Sequence, residues 1–287
     1  MRTKEEYHRE KPTWCVGCGL YGIFDALKRA AASLDLSPER MVIVTGIGCH
    51  GRMSNYFRSY GFHGLHGRVM PVAQGIKLAN PGLSVIGVSG DGDAYSIGLG
   101  HFIHALRRNV SLTYLVANNQ IYALTDGQTS PTSQMGFVSV STPTGSKELP
   151  LDGAKLAMAT GGTFIARGFS GNAGHLALLI EKALKHPGFA LIDILSPCVT
   201  QNKVNTYDWY RQNILLLDDD PAYDCRDKKM AYNTICDAKK IPVGLIYREE
   251  GRPPYEIAVL PDPWRPLAED NLSLDNEKLG KFVLKFR

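Results

Sequence analysis

Apolar residues occur in two alternating patterns along the first 200 positions of the chain. Short runs rich in β-branched residues, such as the run over 84–88, are typical of buried strands. Between these runs, apolar positions recur with the spacing of a helix. The patterns predict helices over 20–32, 70–79, 98–107, 153–160 and 173–185, and strands over 41–45, 84–88, 112–117, 163–166 and 190–195. This alternation is typical of an α/β fold, here a doubly wound and mostly parallel sheet.

The regular pattern fades after about residue 204. The remaining segment carries charged and aromatic residues and is interrupted by Pro242, Pro253, Pro254, Pro261, Pro263 and Pro266. We therefore predict an α/β domain over 1–204 and an irregular C-terminal arm over 205–287. We expect the arm to pack on the domain or on a partner subunit.

The composition narrows the class of protein. The chain has 287 residues, of which 44% are hydrophobic, and this is enough for one sizeable core. No apolar stretch approaches the roughly 20 residues that a membrane-spanning helix needs, so we expect no membrane partner. The net charge of +4 is mild and spread out, so we expect no nucleic acid partner. The N-terminus resembles no secretory or transit segment, which predicts a cytoplasmic protein.

Polar motifs follow two consecutive strands of the predicted sheet. Gly90–Asp93 follows the strand over 84–88, and Asn118–Asn119 follows the strand over 112–117. In an open parallel sheet, the carboxyl ends of the strands face the crevice where ligands bind. A carboxylate and a carboxamide from two such ends can share Mg²⁺, which completes its octahedron from a phosphorylated ligand. The spacing therefore predicts a site for Mg²⁺ and a phosphorylated molecule.

Four of the six cysteines lie in turns marked by glycine or proline. Cys15 and Cys18 form a C-x-x-C pair, which by itself is equally typical of a zinc half-site and of a redox pair. Cys49 and Cys198 each follow an apolar strand. In a reducing compartment such cysteines favour a metal site over disulfides. Four thiolates from these loops would hold tetrahedral Zn²⁺ or a [4Fe-4S] cluster.

Taken together, the motifs resemble the β subunit of the 2-oxoacid:ferredoxin oxidoreductases, which bind thiamine diphosphate. The resemblance extends from about residue 10 to about residue 215. It rests on Trp14–Gly19, Gly46–Cys49, Tyr60–Arg68, Gly90–Asp93, Asn119–Tyr122, Gly127–Thr132 and Ser196–Thr200, in that order along the chain. The segment Gly127–Thr132 resembles the branch that acts on 2-oxoglutarate or on a broad range of 2-oxo acids.

The resemblance implies a role for each matching residue. Asp91, the Asn119 side chain and the Ile121 backbone carbonyl would bind Mg²⁺. Cys15, Cys18, Cys49 and Cys198 would ligate one [4Fe-4S] cluster close to the thiazolium ring. The coenzyme would contact Ile47, Gly48, Cys49, His50, His66, Gly90, Asp91, Gly92, Asp93, Asn119, Ile121, Ala123 and Leu124. The residues implied in catalysis are His66, Arg52 and Leu124.

The implied reaction is the CoA-dependent oxidative decarboxylation of a 2-oxo acid. Electrons would pass singly through the cluster to ferredoxin, and CoA would take the acyl group. The sequence contains no second α/β domain, so an α subunit would have to supply the pyrimidine-binding domain with its activating carboxylate. We therefore expect a heterodimer or heterotetramer in which the β subunit alone is inactive.

Two alternatives remain open from the sequence. The best prediction for the substrate is 2-oxoglutarate, with succinyl-CoA as product, but pyruvate and branched-chain or aryl 2-oxo acids would use the same chemistry. Asp126 stands where the family often has a lysine. This change from a positive to a negative side chain inverts the electrostatic field that a dicarboxylic substrate would meet. The second alternative is a zinc-binding subunit with a structural or electron-transfer role and no catalysis.

Overall fold

One eight-stranded sheet organises the chain in the computed structural model, which describes residues 1–269, 273 and 275–286. The strands are β1 (Met41–Thr45), β2 (Tyr60–His63), β3 (Ser84–Gly90), β4 (Leu112–Asn118), β5 (Phe164–Phe169), β6 (Phe189–Leu195), β7 (Ile214–Leu216) and β8 (Ile241–Arg248). The α-helices of the described residues are α1 (Gly19–Ser33), α2 (Met53–Tyr56), α3 (Val69–Ala79), α4 (Leu99–Arg108), α5 (Gly153–Ala159), α6 (Ala173–Leu184), α7 (Tyr207–Asn213), α8 (Lys228–Asp237), α9 (Tyr255–Val259) and α10 (Asn276–Leu284). None of these described helices is both long and apolar enough to cross a membrane.

The order of the strands determines where the predicted motifs meet. The sheet runs β2-β1-β3-β4-β6-β5-β8-β7, and the pairs from β2 through β5 are all parallel. The carboxyl ends of β1, β3, β4 and β6 therefore lie side by side on one edge. The motifs that follow these four strands leave the sheet at that edge, where ligands bind in open α/β sheets.

The predicted α/β fold is confirmed, and each helix and strand predicted up to residue 195 is present. The largest shift is at β5, which continues to Phe169 instead of ending at 166. The sequence pattern stopped there because Arg167 interrupts the apolar run. In the structure this guanidinium is buried and lies 2.7 Å from Asp152 and 3.4 Å from Asp193, so a charged residue occupies the middle of a buried strand.

The prediction of an irregular arm after residue 204 needs a correction. β8 pairs antiparallel with β5, and β7 pairs parallel with β8, so the sheet extends beyond the predicted boundary. Pro242 and Gly244 concealed β8, because both residues weaken a strand pattern. β2 was also missed. It is a four-residue edge strand whose residues are all exposed, and it therefore lacks the buried apolar run that indicates a strand.

Helices cover both faces of the sheet. Side chains such as Ile43 and Ile86 pack with α1 and α6 on one face. Their neighbours Val42 and Val85 point to the other face, where they pack with α3, α4, α5 and α8. Strands that are buried on both faces have continuous apolar runs, and this is why the central strands were evident from the sequence.

Candidate functional site

A cleft of about 820 Å³ opens at the carboxyl edge of the parallel strands. The loops after β1, β3, β4 and β6 line it, together with the N-terminal segment Thr13–Cys18. All residues predicted for the site lie on its wall: Cys15, Cys18, Ile47, Gly48, Cys49, His50, Arg52, His66, Gly90, Asp91, Gly92, Asp93, Asn119, Ile121, Ala123, Leu124 and Cys198. The fold thus brings them around one space, while their roles remain predictions.

Asp91 is a buried carboxylate without a cationic partner. It is 2% exposed, and its Oδ2 accepts hydrogen bonds from Ser130 Oγ and Thr132 Oγ1, each at 2.6 Å. Burial raises the pKa of Asp91, and the two hydroxyls and nearby backbone N–H groups only partly oppose this. Burying an unpaired charge is costly. A divalent cation in the cleft would compensate it, so the residues present fit such an ion.

The side chains of Asn118 and Asn119 point in different directions. Asn119 Oδ1 accepts from the backbone N–H of Ile121 at 3.1 Å, across Gln120, which has the left-handed φ of 58°. This tight turn keeps the Asn119 side chain and Ile121 on one loop at the cleft. Asn118 instead points into the protein, where its Nδ2 donates to Asp193 Oδ1 at 3.2 Å. An amide oxygen accepts two hydrogen bonds or ligands, so Asn119 retains capacity for a cation.

Asp93 connects the loops that surround the cleft. Its Oδ1 accepts from Gly67 N at 2.6 Å and its Oδ2 from Ser89 Oγ at 2.5 Å. His66 Nδ1 lies 3.1 Å from Oδ1, and His50 Nε2 lies 3.5 Å from Oδ2. Burial raises the pKa of Asp93, but these contacts outweigh burial and hold it below its usual value. Asp93 therefore stays ionised and anchors the loops after β1 and β2.

The four predicted cluster ligands surround one part of the cleft. Cys15 is exposed, Cys18 and Cys49 are half-buried, and Cys198 is buried, and all are free thiols. Burial is the main cause that raises the pKa of Cys18 to about 12, and the nearby Cys198, Cys49 and Cys15 contribute to this rise because thiolates close together repel. Two hydrogen bonds hold this region: Trp14 Nε1 donates to the Cys49 carbonyl at 2.7 Å, and Gln201 N donates to Cys198 Sγ at 3.4 Å.

The four thiols share the cleft but do not form a compact group. Among the described residues, no group of three or more His, Cys, Asp or Glu side chains is close enough to hold a single metal ion. A tetrahedral zinc with Zn–S bonds of about 2.3 Å requires four sulfurs in tight contact.

Comparison with known proteins agrees with this geometry. Residues 46–194 match the family model of the C-terminal thiamine pyrophosphate-binding domain of thiamine pyrophosphate enzymes, and residues 198–260 match that of the C-terminal part of the pyruvate ferredoxin oxidoreductase β subunit. The 2-oxoacid:ferredoxin oxidoreductase β subunit of Saccharolobus solfataricus is 42% identical over 255 residues, which cover 85% of this chain and 84% of the relative. The chain belongs to the 2-oxoacid:ferredoxin oxidoreductase family, as a β subunit. The family predicted from the motifs is confirmed.

Two further relatives lie close to this β subunit. The 2-oxoglutarate synthase subunit KorB of Archaeoglobus fulgidus is 40% identical over 195 residues, which cover 68% of this chain and 73% of the relative. A solved 2-oxoglutarate:ferredoxin oxidoreductase from Magnetococcus marinus, with 2-oxoglutarate, coenzyme A and succinyl-CoA bound, has 35% identity and a TM-score of 0.90. The match covers 98% of this chain and 96% of that one. The fold of this β subunit is therefore that of a 2-oxoglutarate-oxidising relative throughout.

Sequence reasoning missed several side chains that shape the site of the β subunit. Ser130 and Thr132 appeared only as part of a motif for the substrate branch, whereas their hydroxyls contact Asp91. Tyr122 packs so closely on Gly92 that a Cβ there would overlap its ring. The sequence signal that could have indicated these contacts is the concentration of hydroxyl residues over 129–133, since buried hydroxyl groups need polar partners.

Arg52 and Leu124 lie at the open part of the cleft. Arg52 is exposed, with its guanidinium 6.0 Å from the centre of the Tyr56 ring, and no carboxylate of the described residues pairs with it. Leu124 is exposed on the loop after β4. Asp126, on the same loop, has the left-handed φ of 74° and is exposed. Arg52 thus brings a guanidinium without a carboxylate partner among the described residues to the wall of the cleft, whereas Asp126 lies on the loop beyond the lining residues.

Proposed function

We propose that this β subunit, with an α subunit, catalyses the CoA-dependent oxidative decarboxylation of 2-oxoglutarate to succinyl-CoA and passes the electrons to ferredoxin. Within the cleft it would hold thiamine diphosphate, Mg²⁺ and a [4Fe-4S] cluster. When bound, the coenzyme supplies an electron sink for decarboxylation and the cluster supplies a one-electron acceptor. The observation that carries the proposal is one cleft lined by an uncompensated buried Asp91 and four free thiols.

The diphosphate end of the coenzyme would lie against the loops after β1 and β3. Asp91, Asn119 Oδ1 and the Ile121 carbonyl would hold Mg²⁺, since hard oxygen ligands suit this ion. Gly48 has a φ of 153°, a conformation that favours glycine, and its missing side chain leaves room beside the His50 ring. Backbone that is bare of side chains lets anionic oxygens come close to N–H groups.

The cysteine side of the cleft would hold the cluster. Its ligands must be thiolates, so the raised pKa of Cys18 means that loading releases protons. The N–H group of Gln201 already donates to Cys198 Sγ, and hydrogen bonds to cluster sulfurs are one of the ways a protein adjusts reduction potential. Cys15 is exposed, which would leave one edge of the cluster near the surface for electron transfer to ferredoxin.

Support for 2-oxoglutarate comes from relatives and from charge. The KorB relative is named for 2-oxoglutarate, and the Magnetococcus marinus enzyme was solved with it bound. Arg52 offers a free guanidinium that could pair with a substrate carboxylate. The Saccharolobus solfataricus relative carries the broader name 2-oxoacid, which favours a wider substrate range as the second candidate.

The need for a partner follows from the carboxylates of the cleft. Among the described residues that line it, Asp91 and Asp93 are the only acids. Asp93 is engaged by Gly67 and Ser89, and Asp91 is assigned to the cation. Neither is free to activate an aminopyrimidine, so the α subunit would provide that group. A reducing cytoplasmic location is part of the proposal, because all six cysteines are free thiols.

The test uses the α and β subunits purified together without oxygen. Rates with methyl viologen are measured for 2-oxoglutarate, pyruvate and branched-chain 2-oxo acids in the presence of CoA. We expect the highest kcat/KM for 2-oxoglutarate and iron rather than zinc in elemental analysis. Cys198→Ser should lower the iron content, whereas Cys225→Ser, outside the cleft, should not. Zinc in place of iron, with no activity on any 2-oxo acid, would support the non-catalytic alternative instead.

A further inference from the structure

The loop after β4 contains three buried hydroxyl side chains, Ser130, Thr132 and Ser133, which we call the hydroxyl loop. Ser133 fixes the loop itself: its Oγ accepts from Ser130 N at 2.8 Å and donates to the Gln120 carbonyl at 2.7 Å. Gln120 belongs to the turn that carries Asn119. The hydroxyl loop is therefore tied to one side of the magnesium site and contacts Asp91 on the other.

We propose that Ser130 and Thr132 are positioning residues for the magnesium ligand Asp91, a role that rests on the proposed function. Both hydroxyls occupy the same carboxylate oxygen, Oδ2, at 2.6 Å. Two donors on one oxygen fix the rotation of the carboxylate about its Cβ–Cγ bond. The other oxygen, Oδ1, is then held in one direction for the cation.

Comparison of the buried aspartates explains why hydroxyls are used. Of the three aspartates buried in the described part of the chain, Asp93 contacts two histidines and Asp193 contacts Arg167. Asp91 is the one of these three without a histidine or arginine partner, and its side-chain partners are the two hydroxyls. A cationic partner would fix the carboxylate equally well but would cancel the charge that attracts Mg²⁺. Neutral donors fix its orientation and leave its charge for the ion.

Behind Thr132 lie two further polar residues, Asn118 and Asp193. Thr132 Oγ1 lies 3.0 Å from Asn118 Oδ1, and Asn118 Nδ2 in turn donates to Asp193 Oδ1. The single hydroxyl proton of Thr132 can go to Asn118 or to Asp91. A carboxylate is the stronger acceptor, so a cation that keeps Asp91 ionised selects Asp91. In the loaded site Thr132 therefore donates to Asp91, and its contact with Asn118 Oδ1 is a packing contact without a hydrogen bond.

The test compares variants of the purified α/β complex after removal of coenzyme and metal. Mn²⁺ binding in the presence of thiamine diphosphate is followed by electron paramagnetic resonance, and Mg²⁺ affinity by competition. Thr132→Val and Ser130→Ala should each weaken metal binding about 10- to 100-fold, the usual effect of losing an outer hydrogen-bond partner of a ligand. Thr132→Ser should restore affinity, and kcat of Thr132→Val should recover at saturating Mg²⁺.

Thr163→Val is the control, because it removes a buried hydroxyl whose partners, Asn109, His186 and Phe189, lie outside the cleft. It should lower the melting temperature without changing metal affinity. Wild-type affinity in both Thr132→Val and Ser130→Ala, or an equal loss in Thr163→Val, would overturn the inference. If one variant fails to fold, the other decides. Absence of metal-dependent coenzyme binding in the wild-type complex would instead refute the proposed function.

Discussion

Replacement of Asp93 by asparagine tests whether this residue anchors the loops around the cleft. The carboxylate accepts two short bonds, from Gly67 N at 2.6 Å and Ser89 Oγ at 2.5 Å, and has two histidines nearby. An asparagine has one acceptor oxygen. If that oxygen keeps the bond to Gly67, its NH₂ group faces Ser89 and His50. The variant therefore loses the charge and must rearrange its partners, while the site has little room because a Cβ on Gly46 would overlap the carboxylate.

The cost can be estimated from these contacts. A hydrogen bond to a charged group contributes about 1.5–3 kcal/mol and a neutral one about 0.5–1.5 kcal/mol. Asp93→Asn replaces two charge-assisted hydrogen bonds by neutral ones and weakens the histidine contacts. We expect these changes to lower the free energy of unfolding by about 2–4 kcal/mol. The pKa of Asp93 is lowered in the folded protein, so its contribution is present above the unfolded pKa and disappears as pH falls through the folded one. In Asp93→Asn this contribution is absent, so the part of the wild-type pH dependence of stability that comes from Asp93 should disappear.

The assay is urea denaturation followed by tryptophan fluorescence, with thiamine diphosphate affinity measured on the same preparations. Asp126→Asn is the control, since Asp126 is exposed on the loop after β4, and surface changes usually stay within about 0.5 kcal/mol. We expect Asp93→Asn to unfold at lower urea and to bind the coenzyme more weakly, because Gly67 and His66 lose their anchor. Unchanged stability, or an equal loss in Asp126→Asn, would refute the reasoning.

Three further predictions follow from single contacts. His186 Nε2 lies 2.8 Å from Thr163 Oγ1, and burial lowers the pKa of His186 from 6.5 to about 4. Between these two pH values the unfolded chain therefore binds a proton that the folded one lacks. The free energy of unfolding should fall by about 3 kcal/mol as pH decreases through this range. Gly48→Ala should weaken coenzyme binding about 5- to 150-fold, since its φ of 153° strains any other residue by about 1–3 kcal/mol. Trp14→Phe removes the donor to the Cys49 carbonyl and should speed the loss of iron to a chelator several-fold, for an unsatisfied acceptor costs about 1–3 kcal/mol.

Each of these has a control. The pH dependence should disappear in His186→Gln, and its persistence would assign the effect to another group. Gly100→Ala, at a helix position with nothing within 4 Å of a new Cβ, should leave coenzyme binding unchanged, in contrast to Gly48→Ala. Trp209→Phe, on α7, should keep its iron, and equal iron loss in both tryptophan variants would contradict the role of Trp14.

The outline of the site could be predicted because it depends on local patterns. Apolar runs with β-branched residues define β1, β3, β4 and β6, and parallel pairing carries the segments after them to one edge. For this reason Asp91 and Asn119 could be assigned to one site before any contact was known. The family motifs then added the four cysteines, whose loops the structure brings to the same cleft.

The chain's own periodicity determined which segments become helices and buried strands, and hence the edge where polar residues gather. Only the tertiary structure decided which partners each polar atom has. Asp91 is held by hydroxyls 39 and 41 positions later, and Arg167 becomes tolerable in the interior only beside Asp152 and Asp193. β8 likewise depends on pairing with β5 rather than on an apolar run. Such contacts join residues far apart in the chain, and their free energy depends on burial and geometry that local spacing does not encode.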